Sequence, residues 1–272
     1  MLLALDVGNT EITIGMFDGD ELVQHWRAAT VAERTADEHA LLLLGFLGQE
    51  DMALESTVSG AVISSVVPRL SRAMREMVRR YCGFEPLMLE PGVRTGLSIL
   101  TDNPREVGAD RVANAVAAFA LHGGPAVVVD FGTATTFDAV SARGEMLGVA
   151  IAPGIEISTN ALVRQTAQLR RVELVAPRSV IGRNTAESLQ AGIVYGFAGQ
   201  VDTIVRRMVA ELGGRATVIA TGGLASILLG VCETIQRHEP WLTLHGLRII
   251  YDRNGGIGSR PAEAERARRP QR

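Results

Sequence analysis

Two short Asp-x-Gly segments carry the side chains best suited to chemistry in this chain. They are Asp6-Val7-Gly8-Asn9-Thr10 and Asp130-Phe131-Gly132-Thr133-Ala134. Glycine lets the backbone approach a ligand closely, while asparagine and threonine supply amide and hydroxyl donors. Two such turns facing each other across a cleft would clamp a phosphate chain and its metal ion. Hairpins use the same residue types, so one copy alone would more simply be an ordinary turn.

The two segments occupy the same place in a repeated pattern. Each follows a short apolar strand and precedes an alternating strand, a turn and a third strand. The same number of residues separates Asp6 from Asp130 and Gly8 from Gly132. We interpret this as the internal duplication of a three-stranded meander, which favours a shared ligand over two unrelated turns.

Helix and strand signals after each meander extend the repeat. Thr35-Ala36-Asp37-Glu38 predicts a capping box that begins a helix, and Asn184 predicts the N-cap of a helix from Thr185 to about Leu212. Both halves therefore read β-β-β-α-β-α-β. In the second half we expect a helix from Ile155 to Leu169, a short strand near Val172, a helix from Leu224 to Gln236 and a last helix that includes Leu247 to Tyr251.

These elements predict an α/β protein made of two halves. With 272 residues and 47% apolar content, the chain can build full cores. We expect a first half at residues 1–122 and a second half at 123–257, with a cleft between them. Residues 258–272, rich in arginine, proline and alanine, are expected to form a disordered tail.

The absence of lysine limits the chemistry that is possible. All 27 basic residues are arginine. A Walker-type phosphate loop, the ATP-binding lysine of protein kinases and a Schiff-base lysine are therefore excluded. A bound nucleotide must instead be held by backbone amides, hydroxyls, a carboxylate-held metal and arginine.

Charge and composition also limit partners and compartment. The net charge of −3 predicts neither a nucleic-acid nor a membrane partner, and no apolar run reaches the ~20 residues of a membrane span. Met1 leads into a strand without a basic leader segment, and Cys82 and Cys232 are too few for a disulfide framework. We expect a cytoplasmic protein. The five histidines show no paired spacing and are expected to be structural.

Further segments narrow the interpretation to one family. They are Asp102-Asn103-Pro104-Arg105-Glu106-Val107-Gly108-Ala109-Asp110-Arg111, Ala152-Pro153-Gly154, Gly182-Arg183-Asn184-Thr185 and Thr221-Gly222-Gly223. The duplicated halves resemble the actin-like ATPase (ribonuclease H-like) fold, which includes acetate and sugar kinases. In their order, the segments resemble those of the type III pantothenate kinases, from residue 1 to about residue 254. The resemblance implies ATP-dependent phosphorylation of pantothenate to 4'-phosphopantothenate, the first step of coenzyme A biosynthesis.

The resemblance also implies a role for each segment. The nucleotide phosphates are expected at Asp6, Val7, Gly8, Asn9, Thr10, Glu11, Ile12, Thr13, Gly132 and Thr133. The adenosine is expected near Gly222 and Gly223, and pantothenate near Gly108, Ala109, Asp110, Arg111 and Thr185. Asp6 is expected to act on Mg²⁺ through the phosphates, and Asp130 is associated with a monovalent cation, K⁺ or NH₄⁺.

Asp110 is the general base that the resemblance implies. It also stands at the start of a helix predicted from Ala109 to His122, where an aspartate is favoured simply as a cap. The two roles are compatible, because the helix-start amides would keep the carboxylate ionised and fixed. Arg111 is either a surface residue or a partner for the pantothenate carboxylate.

Two residues differ from the pattern of the family that the chain resembles, and three glycines form a stripe on the long helix. Thr101 stands where relatives often carry tyrosine, and Glu11 stands where asparagine is common, which leaves one contact to each ligand open. Gly192, Gly196 and Gly199 lie on one side of the long helix and permit close packing in the core or at a two-fold interface. The resemblance favours a homodimer.

Two other functions remain possible for such a chain. One is another kinase of the same fold, acting on a sugar or a polyphosphate. The other is a non-catalytic nucleotide-binding regulatory module, which would be expected to lack Asp110 or the glycines of the phosphate turns. Gly8, Asp110, Gly132 and Gly223 are all present.

Overall fold

The fold is described from a computed structural model covering residues 1–166, 169–255 and 258–259. Its strands are β1 (Leu2–Val7), β2 (Glu11–Asp18), β3 (Glu21–Ala29), β4 (Gly60–Ser65), β5 (Leu87–Met88), β6 (Ser98–Ile99), β7 (Ala126–Phe131), β8 (Ala134–Val140), β9 (Glu145–Pro153), β10 (Thr217–Thr221) and β11 (Arg237–His238). Its helices are α1 (Ala36–Gln49), α2 (Leu54–Thr57), α3 (Pro68–Cys82), α4 (Ala109–His122), α5 (Ile155–Gln165), α6 (Thr185–Glu211), α7 (Ala225–Leu228) and α8 (Leu242–Arg253).

The two β-sheets repeat one topology. The first has the order β3-β2-β1-β4-β5, and the second contains the same arrangement as β9-β8-β7-β10-β11, with β6 added beside β9. In each sheet the leading strand pairs antiparallel with the next strand and parallel with the fourth. The duplicated β-β-β-α-β-α-β plan predicted from the sequence is therefore confirmed, with α5 as an additional helix.

The chain divides into two compact units. The first contains Met1–Gly96, Arg105–Ala117 and the described residues from Thr243 on, so α8 belongs to it. The second contains Leu97–Pro104 and Ala118–Leu242.

Each unit has its own apolar core on one face of its sheet. In the first, α1 and α3 cover a face that includes Leu5, Ile12 and Ile63. The predicted capping box is present, since the Thr35 side chain accepts a hydrogen bond from the amide of Glu38 and the Glu38 carboxylate accepts from the amide of Thr35. The other face carries α8, whose Leu244 packs on Gly15. A side chain at position 15 would have to push aside the methyl groups of Leu244 and Leu22.

In the second unit, α6 covers the core face of the sheet. Val194, Val201 and Val205 of this helix belong to the same buried cluster as Val129 and Phe137 of the strands. The predicted N-cap is present, because Asn184 Oδ1 accepts from the amide of Glu187 at 2.9 Å. No helix among the described residues is both long and apolar enough to span a bilayer.

Two sequence-based element predictions in the second half are wrong. Residues around Val172 form no strand, and the fourth strand of this half is β10. The helix predicted from Leu224 to Gln236 is only α7, with four residues. Turns continue beyond it as far as the Cys232 amide, which donates to the Leu228 carbonyl, and the next two amides, of Glu233 and Thr234, donate to the Asp202 carboxylate instead of to helical carbonyls.

Three further boundaries differ from the sequence-based prediction. The helix expected from Ile155 to Leu169 is observed as α5, with residues 167–168 outside the described range. The last helix begins at Leu242, earlier than expected. The predicted tail lies outside the described residues from 260 on, but Gly258 accepts from the amide of Ala61, and Ser259 bridges to Gly60.

Candidate active site

The first Asp-x-Gly segment forms the β1–β2 turn of the first unit. The Gly8 amide donates to the Glu11 carbonyl at 3.0 Å, and Thr30 Oγ1 donates to the Gly8 carbonyl at 2.7 Å. A Cβ at position 8 would lie only 2.9 Å from the Glu11 carbonyl oxygen, so glycine is required for this closed turn. Asn9 and Thr10 are exposed at its tip. An incoming anion could reach both residues there.

Strand register places four polar residues in one row of the first sheet. Asp6 pairs with Thr13 of β2 and with Ser64 of β4, and Thr13 pairs with Arg27 of β3. Directly paired residues project to the same side of a sheet, so the order across it is Arg27, Thr13, Asp6, Ser64. The Ser64 hydroxyl is buried and has no hydrogen-bond partner within the described chain. This unsatisfied oxygen beside Asp6 suits a ligand that brings its own polar atoms.

The second sheet repeats this row with one change. Asp130 pairs with Thr136 of β8 and with Thr221 of β10, and Thr136 pairs with Ile151 of β9. The order is therefore Ile151, Thr136, Asp130, Thr221. The duplication extends from the turns to the Asp, Thr and hydroxyl positions, and only the outermost position changes from a cation to an apolar side chain.

Two glycines close tightly around Asp130. Gly222 has φ 90°, and a Cβ there would lie 2.5 Å from Asp130 Oδ1. A Cβ at Gly154 would lie 2.2 Å from the Thr133 carbonyl oxygen and 2.8 Å from that of Gly132. Three predicted segments, at residues 130–133, 152–154 and 221–223, thus meet in the second unit. Gly223 follows at the surface, where its backbone is open to a ligand.

Asp110 lies near the phosphate turn of its own unit. The amide of Val112 donates to the Gly108 carbonyl, which makes Asp110 the second residue of α4 and not its cap. Its Oδ1 accepts from the Arg111 amide at 2.8 Å. Val66 lies beside Gly108 and donates its amide to the carbonyl of Val7, at the end of β1. The candidate base and the phosphate turn are therefore linked through Val66.

Burial sets the acidity of this carboxyl group. Loss of solvent raises the pKa of Asp110 above its ordinary value of 3.8, and the amide and guanidinium of Arg111 offset only part of that rise. From the helix-start amides alone, the sequence predicted a lowered pKa for Asp110. A carboxylate with a raised pKa is a better proton acceptor, which suits a general base.

Thr185 is exposed at the first position of α6, next to the N-cap Asn184. Gly182 packs against this turn, since a Cβ there would lie 2.4 Å from the Ser188 amide nitrogen. Asp6 to Thr13 and Gly108 to Arg111 lie in the first unit, whereas Gly132, Thr133, Thr185, Gly222 and Gly223 lie in the second.

Sequence analysis did not single out Ser64, Thr136 or Arg27 as site residues. Ser64 and Thr221 each lie at the carboxyl end of a buried strand, which is the one signal that could have identified them. Arg27 and Thr136 emerge only from the strand register.

The donor set fits a metal ion carried by phosphates. Within the described residues, no three His, Cys, Asp or Glu side chains come together as a metal site. Magnesium in nucleotide sites commonly takes only one or two carboxylates and completes its shell with phosphate and water oxygens. Asp6, with Thr13 and the unsatisfied Ser64 hydroxyl in its row, matches that requirement.

Comparisons with known proteins agree with this geometry. A curated relative from Streptomyces avermitilis, named type III pantothenate kinase, is 59% identical over 261 residues, covering 93% of this chain and 98% of the relative. One of the same name from Acidothermus cellulolyticus is 57% identical over 255 residues, covering 93% of this chain and 99% of the relative.

A solved structure supports the fold at low sequence identity. The (R)-2-hydroxyglutaryl-CoA dehydratase component A from Acidaminococcus fermentans has a TM-score of 0.54 and 17% identity, covering 92% of this chain and 96% of that one. This match confirms the duplicated actin-like ATPase fold. The family model for type III pantothenate kinase matches residues 2–207. This chain belongs to the type III pantothenate kinase family.

Proposed function

We propose that this chain transfers the γ-phosphoryl group of ATP to the primary hydroxyl of pantothenate, giving 4'-phosphopantothenate and ADP. The observation that carries the proposal is the family match over residues 2–207, in a chain that keeps Asp6, Gly8, Asp110 and Gly132. This reaction begins coenzyme A biosynthesis, and we expect it to take place in the cytoplasm.

Asp110 acts as the general base in this proposal. Its carboxylate accepts the proton of the pantothenate hydroxyl while that oxygen bonds to the γ-phosphorus and the bond to the β-phosphate oxygen breaks. The raised pKa of Asp110, caused by burial, increases its affinity for that proton. Gly108 and Ala109 line the same turn, and the Arg111 guanidinium pairs with the pantothenate carboxylate. Thr185 contributes a hydroxyl to the same substrate.

The two Asp-x-Gly turns hold the nucleotide. Gly8, Asn9, Thr10, Gly132 and Thr133 offer backbone amides and hydroxyls to the phosphates, and Val7, Glu11 and Ile12 form the turn that presents them. Asp6 and Thr13 hold the phosphate-bound magnesium, which supplies charge neutralisation for the transfer. Gly222 and Gly223 leave room for the adenosine.

Asp130 is proposed to hold a monovalent cation, K⁺ or NH₄⁺. The Asp130 carboxylate and the Thr136 and Thr221 hydroxyls form a row of oxygen atoms at the end of β7. Hard cations prefer such ligands. With no lysine in the chain, a cation here would offset part of the charge of the nucleotide.

A substrate panel tests the proposal directly. Purified protein is incubated with MgATP and pantothenate, a set of sugars, or acetate, and ADP release is measured. ADP release that occurs with pantothenate, but not with the sugars or acetate, supports the proposal. Release with a sugar or acetate would favour another kinase of this fold, and nucleotide binding without turnover would favour the regulatory module.

A further inference from the structure

We propose that Arg27 is a phosphate-binding residue of the ATP site, held in place by Glu11. It would supply the cationic contact to the β- and γ-phosphates that other nucleotide sites take from lysine. The proposal rests on the proposed assignment of the nucleotide phosphates to Asp6 through Thr13. It adds a residue from a different strand that no sequence segment indicated.

Strand register puts Arg27 on the side of the sheet that carries Asp6. Arg27 of β3 pairs with Thr13 of β2, which pairs with Asp6 of β1. Two strand spacings of ~4.8 Å place the Arg27 and Asp6 Cα atoms roughly 10 Å apart, with the Thr13 side chain between them. An arginine extended along this row reaches the space above Thr13, beside the phosphate turn.

The observed ion pair turns the guanidinium toward that turn. Arg27 Nη1 lies 3.7 Å from Glu11 Oε1, and Glu11 is the residue whose carbonyl closes the Gly8 turn. Both side chains are 46% exposed. Ion pairs between exposed groups contribute little to stability, so exchanging the Glu11 contact for a contact with a phosphate would cost little.

Chemistry favours this role for an arginine. A guanidinium donates two parallel hydrogen bonds to a phosphate and stays charged at every physiological pH. Without Arg27, a nucleoside triphosphate at the turn would face the negative charge of the Glu11 carboxylate with no positive charge beside it. Arg27 therefore both offsets Glu11 and binds the ligand, which accounts for an acidic residue at this position.

The row of the second sheet has no counterpart of Arg27. The position that matches Arg27 is Ile151, an apolar side chain that is 65% exposed. Only the first row carries a cation beyond its threonine. An arginine that merely tied two strands together would need no polar row beside it, whereas an arginine that binds phosphate belongs beside Asp6 and the Gly8 turn.

The test is binding of ATP, ADP and adenosine to Arg27→Gln, measured by calorimetry. A lost charged hydrogen bond predicts about 10- to 100-fold weaker ATP binding, a smaller loss for ADP and no change for adenosine. Arg27→Lys should recover part of the ATP affinity. Equal losses for ATP and adenosine, or an ATP affinity within about twofold of the parent, would overturn the proposal.

Arg75→Gln is the matched control. Arg75 lies on α3, and its guanidinium pairs with the Glu90 carboxylate at 2.9 Å. The two side chains are 43% and 56% exposed, so the substitution breaks a similar surface ion pair. Its ATP affinity should equal that of the parent. Asp6→Asn distinguishes failure of the Arg27 proposal from failure of the assignment of the phosphates to the first turn. If it weakens MgATP binding while Arg27→Gln does not, only the role of Arg27 fails.

If neither Asp6→Asn nor Arg27→Gln weakens MgATP binding, the assignment of the phosphates to the first turn fails as well. Melting curves without ligand establish that each variant is folded. If Arg27→Gln does not fold, Arg27→Met, which keeps an aliphatic stem and removes the charge, carries the test. Reduced ATP affinity with unchanged adenosine affinity then supports the proposal, and unchanged affinity for both ligands overturns it.

Discussion

At the scale of single residues, Asp110 shows how local structure tunes a reactive group. Its position in the first turn of α4 fixes the carboxylate through the Arg111 amide. Its burial costs the charged form solvation, so the pKa rises. The same burial that disfavours the carboxylate increases its basicity, and we expect function and stability to oppose each other here.

Asp110→Asn tests this opposition. Asparagine is nearly equal in size but cannot accept the proton, so kcat should fall by about 10²- to 10⁴-fold while ATP binding survives. Steady-state kinetics and calorimetry measure the two effects. Turnover close to that of the parent would eliminate Asp110 as the base and leave it a structural role at the start of α4.

The raised pKa also fixes the sign of a stability effect. The folded state holds the Asp110 proton more tightly than the unfolded chain does. Stability due to this group is therefore present below the ordinary pKa of 3.8 and is lost as the pH rises through the folded value. Asp110→Asn removes this loss, so its melting temperature at neutral pH should be equal to or above that of the parent. A clear decrease at neutral pH would contradict the burial argument.

At the scale of elements, Asp202 determines how the second half departs from its sequence pattern. Its carboxylate on α6 accepts from the amides of Glu233 and Thr234 and from Thr234 Oγ1 at 2.7 Å. Burial alone would raise the pKa of Asp202, but these hydrogen bonds outweigh it and lower the pKa. The segment is thereby held in a non-helical path toward β11.

Asp202→Ala should destabilise the protein. It removes the part-buried hydrogen bonds that Glu233 and Thr234 donate to this carboxylate, and hydrogen bonds to a charged group typically contribute about 1.5–3 kcal/mol each. Urea unfolding should report this loss, and Thr203→Ala, an exposed neighbour on the same helix, should change stability little. Equal stabilities for the two variants would exclude the tethering role. Because the pKa of Asp202 is lowered, its contribution should persist at neutral pH and disappear as the pH falls through the folded value.

The elements that sequence predicted correctly are those with local signals. The capping box at Thr35, the cap at Asn184 and the glycines of the two turns depend on residues within a few positions of each other. The non-helical path at Glu233 and Thr234 depends on Asp202, which is distant in sequence, and so it was missed. Strand register is also non-local, which is why Arg27 was not identified as part of the candidate site.

At the scale of the whole molecule, the two sheets are copies of one topology. Both sheets carry an aspartate, a threonine and a further hydroxyl in one row. The copies differ at Arg27 and Ile151, so the first row ends in a cation and the second in an apolar side chain.

The cation role of the second copy is open to a simple test. If Asp130 helps to hold a monovalent ion, activity should fall sharply when potassium is replaced by sodium, because the oxygen spacing would suit the larger ion. Asp130→Asn should reduce this difference. Equal rates for the parent protein in both salts would remove the cation site from the account.

The formation of a homodimer can be tested on α6, the helix that carries Thr185. Gly192, Gly196 and Gly199 are exposed, and an added Cβ on each would meet no atom of the described chain, so the core alternative is wrong. We propose that this face lies at a homodimer interface, and Gly196→Leu should weaken the dimer. Light scattering at micromolar concentration decides this. A fully active monomer would contradict it.

The central claim is that this chain phosphorylates pantothenate at the expense of ATP. The most direct measurement quantifies 4'-phosphopantothenate by mass spectrometry and ADP by chromatography in the same reaction, for the parent and for Asp110→Asn. We expect equal amounts of the two products for the parent and a parallel decrease of both in the variant. Formation of ADP without phosphopantothenate, or an unchanged product yield in the variant, would contradict it.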